Sequence, residues 1–275
     1  MHRQNEHGSI WRLIDTGPCY GRENMAIDEA LFRCFDPAAS QPVLRLYGWQ
    51  PPALSLGRFQ KAGDDLDLTR CRADNLNIVR RITGGGAIWH ADELTYSLVC
   101  SPRQIPPAAS VKESFRVLTS FLLGFYRALG LQADYAVDLV PSGSKLGQRT
   151  PLCFAGQESY DIMLHGRKIG GNAQRRSREI IFQHGSIPLQ NRVGQGLQYL
   201  KIKPQGLEQA TTCLGDEGIT VACDQLKQTL LQQFAGQLGA ELQPGGLTEQ
   251  EQTLAERLMT EKYNDDCWNL EGEEP

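Results

Sequence analysis

Cys153 and Lys168 are the first residues whose types and spacing suggest chemistry. A thiol turns nucleophilic when its pKa falls from about 8.5 toward neutrality, which needs a cation or a helix N-terminus close by. Lys168 stands fifteen residues after Cys153, beyond one expected strand and the turn His165-Gly166, in Gly166-Arg167-Lys168-Ile169-Gly170-Gly171-Asn172-Ala173. A strand out and a strand back return Lys168 to the level of Cys153, where its ammonium favours the thiolate. Spacing alone still favours a plainer role for Cys153, as a small buried hydrophobe.

A second candidate is Arg80-Arg81-Ile82-Thr83-Gly84-Gly85-Gly86-Ala87. Three glycines allow positive φ and let a ligand approach bare backbone N–H groups, which suits an anion or a carbonyl oxygen. The bland alternative is a flexible hairpin. His90 and then Glu93-Leu94-Thr95-Tyr96-Ser97 follow, a polar cluster opening an otherwise apolar strand. By itself His90 reads as a hydrogen-bonded structural histidine. Arg167, Lys168, Arg175, Arg176 and Arg178 form the densest basic stretch. It is either a solvated hairpin surface or a landing patch that speeds encounter with an acidic carrier protein.

These residues need elements to position them. Ile10 to Asp15 reads as a short strand, and about 22–35 as a helix with Met25, Ala26, Leu31, Phe32 and Phe35 near one face. Strands are expected at Pro42–Tyr47, at Ala53–Gly57 and at Asn77–Arg81, with a polar helical stretch over 64–75. Leu94 to Cys100 alternates like a half-buried strand. The surest helix runs from Ser110 to Leu131, with Ser110 and Glu113 as a capping box and Gly130 as its stop. A polar loop spans about 140–151, and strands at Tyr160–Leu164, Lys168–Ala173 and Glu179–Leu189 bracket His165-Gly166. Helices near 221–238 and 249–262 follow, the latter capped by Thr248 and Glu251, and Glu271 to Pro275 reads as frayed. Strands and helices come in runs rather than strict alternation. The fold class is therefore α+β, with a mixed, largely antiparallel sheet packed with helices.

Bulk properties narrow the function. A chain of 275 residues, 40% hydrophobic, is long enough for a sizeable core. A formal charge of -4 argues against broad nucleic-acid binding. Neither a signal peptide nor an apolar run of membrane-spanning length is evident, so a cytoplasmic location without membrane contact is expected. The eight cysteines include no CxxC pair and no Cys/His group with zinc spacing, so most read as reduced thiols and no metal site is expected.

Taken together, the motifs resemble the biotin/lipoate ligase and octanoyltransferase superfamily. The resemblance is strongest to cysteine-dependent octanoyl-[acyl-carrier-protein]:protein N-octanoyltransferases. It runs from Trp11-Arg-Leu-Ile-Asp through Asn24-Met-Ala-Ile-Asp-Glu-Ala, Leu44-Arg-Leu-Tyr-Gly-Trp and the Arg80–His90 stretch with Glu93-Leu-Thr-Tyr-Ser. It continues through Leu152-Cys-Phe, Gly166-Arg-Lys-Ile-Gly-Gly-Asn-Ala-Gln, Gln183-His-Gly-Ser-Ile and Glu261-Lys-Tyr-Asn-Asp-Asp-Cys-Trp-Asn, nearly the whole chain.

The resemblance implies a catalytic domain over 1–245, with a C-terminal helix and tail, 246–275, packed on it. It implies that Cys153 carries the acyl group as a thioester and that Lys168 lowers its pKa. Arg81, Gly84, Gly85, Gly86, His90, Gly170, Gly171 and Asn172 are the expected substrate-binding residues. An apolar tunnel for the eight-carbon chain is expected from Ile82, Ile88 and Ile169. The implied donor is octanoyl-acyl carrier protein, and the implied acceptors are glycine cleavage H protein or lipoyl domains of 2-oxoacid dehydrogenases. No cofactor is then required. Gly85-Gly86-Ala87 resembles ATP-using lipoate ligases instead, which would need ATP and magnesium. An octanoyl amidotransferase acting between lipoyl proteins, and a non-catalytic binding module, are the remaining alternatives.

Overall fold

The computed structural model describes residues 9–141 and 158–274. The chain begins with β1 (Ile10–Cys19), α1 (Gly21–Cys34), β2 (Val43–Trp49), β3 (Ala53–Leu56) and two short helices, α2 (Ala62–Asp65) and α3 (Leu68–Ala73). β4 (Asn77–Arg80), the glycine turn, β5 (Ile88–His90), β6 (Glu93–Cys100) and the long α4 (Val111–Ala128) follow. Next come β7 (Ala133–Tyr135), α5 (Ala136–Leu139), β8 (Ile162–Leu164), β9 (Arg167–Lys168), β10 (Asn172–Arg176) and β11 (Ile181–Pro188). Then α6 (Val193–Leu197), α7 (Leu207–Ala210), α8 (Cys223–Leu238), β12 (Glu241–Pro244) and α9 (Glu249–Leu258) lead into two π-helical turns, Met259–Tyr263 and Cys267–Glu271.

The main sheet has six strands in the order β10-β11-β6-β2-β1-β12. β1 runs parallel to β2 and β12, while the other neighbours are antiparallel, so this is the mixed, largely antiparallel sheet of an α+β fold. Two three-stranded sheets, β4-β3-β5 and β7-β8-β9, stand beside it. Helices cover both of its faces. On one, Tyr96, Leu98 and Cys100 of β6 join Leu118, Phe121 and Phe125 of α4 and Phe234 of α8. On the other, Val99 joins Met25, Leu31 and Phe32 of α1 and Leu258 of α9. β6 is consequently buried on both sides rather than half-buried as its alternation suggests. Its polar residues, Thr95 and Ser97, face buried partners instead of water.

Local chemistry explains where elements start and stop. Ser110 Oγ accepts the Glu113 N–H at the start of α4, while the Glu113 carboxylate turns to the Ala109 N–H instead of completing the box. Thr248 and Glu251 do form a full capping box on α9. The stretch expected as one helix over 64–75 is two, because Leu66 dives into the core and Asp67 caps a fresh start. The strand expected over Lys168–Ala173 is likewise broken. Gly170 has φ +85, and a Cβ there would lie 2.1 Å from the Ser186 carbonyl oxygen. Only glycine fits such a backbone contact.

The tail is not frayed as far as it is described. Lys262, buried beside Glu29 at 3.1 Å, draws in Glu274 at 2.7 Å, and Glu274 also pairs with Arg58. Among the described residues no helix is long and apolar enough to cross a membrane.

Phe234 meets Trp11 and Phe121 edge-on, with centroids at 4.9 and 5.1 Å, and joins α8 to both β1 and α4. Phe234→Ala should lower unfolding free energy by about 3–5 kcal/mol. Urea titration should show this as a lower midpoint with an unchanged slope.

Candidate active site

β3 lies between β4 and β5, and Ser55 stands opposite Val79 on one side and Ile88 on the other. From beyond the end of β4, Arg81 turns back over this sheet. Its Nη1 donates to the Ser55 carbonyl (2.9 Å) and hydroxyl (2.7 Å), and its Nη2 donates to the carbonyls of Gly84 (3.1 Å) and Gly86 (3.0 Å). The side chain of Arg81 is thus occupied in holding the glycine turn. In a planar trans peptide the N–H opposes the preceding C=O. The Gly85 N–H therefore points away from Arg81, at an exposed residue with φ +99. Below the turn, Gly57 comes so close that a Cβ would sit 2.0 Å from the Gly85 oxygen.

His90, at the end of β5, is buried and stacked on Trp49 at 3.8 Å. Its Nδ1 meets Glu93 Oε1 at 2.8 Å and its Nε2 meets Ser55 Oγ at 2.7 Å. Glu93 also accepts from Thr95 (2.5 Å) and Ser186 (2.7 Å). Burial alone favours the neutral carboxyl, but His90 and these hydrogen bonds hold Glu93 below the usual carboxylate range. An ionised Glu93 fixes the donor on His90 Nδ1. The Ser55 hydroxyl, itself accepting from Arg81, shares the hydrogen bond at Nε2. Both ring nitrogens are used, so His90 acts here as a girder between the glycine turn and β6.

A parallel network lies behind it. Asp28 of α1 accepts from Arg45 (2.8 Å), Tyr47 (2.9 Å) and Ser97 (2.8 Å). His184 of β11 bridges this group to the glycine segment, with Nε2 2.8 Å from Thr83 Oγ1 and Nδ1 3.9 Å from Asp28. Burial, with Arg81 and His90 nearby, pushes the His184 pKa well below its ordinary value of 6.5.

Lys168 is buried on β9, opposite Met163 of β8. Asp161, two residues before Met163, lies diagonally across the hairpin, and its Oδ2 is 2.6 Å from Lys168 Nζ. Burial raises the Asp161 pKa against the opposing pull of Lys168. The hairpin is clamped by the Thr212 N–H donating to the Lys168 carbonyl and by Arg167 on Glu217. Gly170 and Gly171 then pass against Ser186, whose N–H donates to the Gly171 carbonyl and whose hydroxyl reaches Glu93. Asn172 Oδ1 accepts from Tyr96. Ser186 and Glu93 thereby join the Lys168 hairpin to the His90 and Arg81 cluster. Cys153 lies outside the described residues.

Ile82, Ile88 and Ile169 are all buried, each in a different core cluster. Four of the five side chains in the basic stretch have partners, and Arg178 is exposed. Lys168 pairs with Asp161 and Arg167 with Glu217, Arg175 lies over Phe32, and Arg176 donates to Ser114. Sequence reasoning missed Asp161, His184 and Asp28. The first was detectable, because hairpin alternation about His165-Gly166 puts it on the face of Lys168. Among the described residues, no three His, Cys, Asp or Glu side chains are grouped to hold a metal.

Comparison with known proteins adds a family signal. Residues 21–235 match the lipoyl protein ligase A/B catalytic domain. The chain is 37% identical over 269 residues to octanoyltransferase LipM of Kyrpidia tusciae, covering 94% of this chain and 98% of that one. It is 36% identical over 279 residues to the protein of the same name from Geobacillus kaustophilus, with coverages of 95% and 98%. A crystal structure of lipoate-protein ligase A bound with ATP superposes with a TM-score of 0.78 at 24% identity, covering 96% of this chain and 98% of that chain. At that identity the likeness is one of fold.

The depressed His184 pKa has a measurable consequence. Below pH 6.5 the unfolded histidine gains a proton that the buried ring refuses, so stability falls as pH drops until the native pKa is reached. Between pH 7.5 and 5.5 the native chain should lose about 1.4 kcal/mol more unfolding free energy than His184→Gln. Urea titrations of both proteins at the two pH values would check this.

Proposed function

The chain belongs to the lipoyl protein ligase A/B catalytic-domain family and is an acyltransferase, and from that premise we propose that it carries an octanoyl group from acyl carrier protein to a lysine of a lipoyl-accepting protein. The observation that carries the reading is the similarity, along nearly the full length of both chains, to relatives named octanoyltransferase. The acceptor is an H protein or an E2 lipoyl domain. A structural neighbour from Thermoplasma acidophilum, described as a bi-partite lipoate protein ligase and its E2 lipoyl domain, is consistent with such an acceptor.

In this reading Cys153 is the nucleophile. Its thiolate attacks the donor thioester, the S–acyl bond to Cys153 forms, and the bond to the carrier's pantetheine sulfur breaks. Lys168 favours the Cys153 thiolate and then gives its proton to the departing carrier thiolate. In the second step the acceptor lysine, with an ordinary pKa of about 10.4, passes one proton to neutral Lys168 and attacks the thioester. The amide forms, Cys153 leaves as thiolate, and the second amine proton goes to solvent. Asp161, at 2.6 Å, keeps Lys168 in place through both charge states. The Gly85 N–H, turned away from Arg81, is the donor we assign to the oxyanion. Exchange of one thioester for another is close to isoenergetic, so the scheme draws no energy from ATP.

Intact-protein mass spectrometry after mixing the enzyme with octanoyl-carrier protein and no ATP tests this. One octanoyl adduct, released by hydroxylamine and missing in Cys153→Ala, is expected. An adduct-free enzyme that transfers octanoate only with ATP would identify a ligase and overturn the thioester scheme. Lys168→Ala should slow acylation and move the apparent pKa of its pH–rate profile up toward about 8.5, the value of an unassisted thiol.

A further inference from the structure

Arg80, next to the arginine that holds the glycine turn, is fully buried yet forms no ion pair among the described residues. A buried guanidinium must then be satisfied by neutral acceptors. Burial and nearby Arg58 lower its pKa to about 10.

The acceptors are backbone carbonyls from two segments far apart in sequence. On one side Nη1 donates to Gly57 (2.9 Å), Arg58 (3.2 Å) and Gln60 (2.5 Å). On the other, Nε donates to Trp268 (2.7 Å) and Nη2 to Leu270 (2.8 Å), while the Arg80 N–H donates to Asn269 Oδ1 (3.1 Å).

The first segment is the floor of the glycine turn. Arg58 N–H donates to the Thr83 carbonyl at 2.8 Å, and Gly57 lies directly under the Gly85 oxygen. The second is the π-helical end of the chain, which is itself fixed. Asn269 Nδ2 donates to the Tyr263 carbonyl, Tyr263 donates to Glu29, and the Lys262 ammonium sits 3.6 Å from the Trp268 ring centroid. Arg58 lies over the same Trp268 ring, 4.6 Å from its centroid, and pairs with Glu274.

We propose that residues 259–274 form a strap that positions the Gly84–Gly86 turn through Arg80. The strap fixes the guanidinium, the guanidinium fixes the three carbonyls of 57–60, and that floor sets the height and tilt of Gly85. Arg80 is thus a positioning residue. Its link to activity rests on the role proposed above for the Gly85 N–H, whereas the mechanical link does not. A misplacement of about 1 Å at such a group is enough to cost on the order of 100-fold in rate.

Full-length Arg80→Lys and Asn269→Ala test the link by two readouts. Hydrogen–deuterium exchange read by mass spectrometry should rise over 57–60 and 82–87 in both variants, with β6 still protected. Steady-state octanoyl transfer should fall about 10-fold or more in kcat for Arg80→Lys, less for Asn269→Ala, with KM for the acceptor protein nearly unchanged. Unaltered exchange over 82–87 in a folded Arg80→Lys protein would overturn the proposal. So would a variant that is merely less stable while its folded fraction keeps native kcat. If Arg80→Lys does not fold, Asn269→Ala decides by the same readouts. If the native chain transfers no octanoyl group, the functional reading fails and exchange alone judges the strap.

Discussion

Glu93 is ionised and buried at the start of a strand covered on both faces, and much of the site follows from that. A carboxylate taken out of water must gather its donors from the protein. Glu93 gathers His90, Thr95 and Ser186 from β5, β6 and β11. Through His90 it reaches Ser55 and Arg81, and so the glycine turn. Through Ser186 it reaches the Gly170-Gly171 backbone and the Lys168 hairpin. The two halves of the site are held in one frame by a single negative charge. Loosening that frame leaves polar groups orphaned, a far larger penalty than the modest net gain of any one hydrogen bond.

Much of the architecture was legible in the residues. The apolar stripes of α4 and α8 and the capping box of α9 identify those helices, and glycines or prolines bound most strands. Cap geometry and strand breaks were less so. Gly170 interrupts a strand because of a backbone it meets from β11, and no local pattern records that neighbour. Leu94 to Cys100 alternates correctly, but alternation cannot say whether its polar face meets water or a second layer of helices. Here it meets Asp28 and Trp49.

The site was legible as motifs and much less as contacts. The glycines, Arg81, His90 and Lys168 stand out by type and spacing. What each one touches depends on pairings made far along the chain, such as Thr83 with His184 or Arg80 with Leu270. The basic stretch after His165 shows the same limit. Charge density along a sequence does not reveal that Asp161 and Glu217 neutralise two of its members.

The sheet order has a consequence for how the protein is made. β1 precedes the other described strands in the chain but pairs on its outer side with β12, which begins at residue 241. On the ribosome, β1 and its neighbours therefore wait with an open hydrogen-bonding edge until most of the chain has been translated. Exposed strand edges invite pairing with other chains, and contacts this distant in sequence form slowly. The salt bridge from Arg12 of β1 to Glu251 of α9 closes over the same seam only after residue 251 has been made. Slow translation or a crowded nascent state should thus burden this enzyme through aggregation well before any defect in its chemistry is felt.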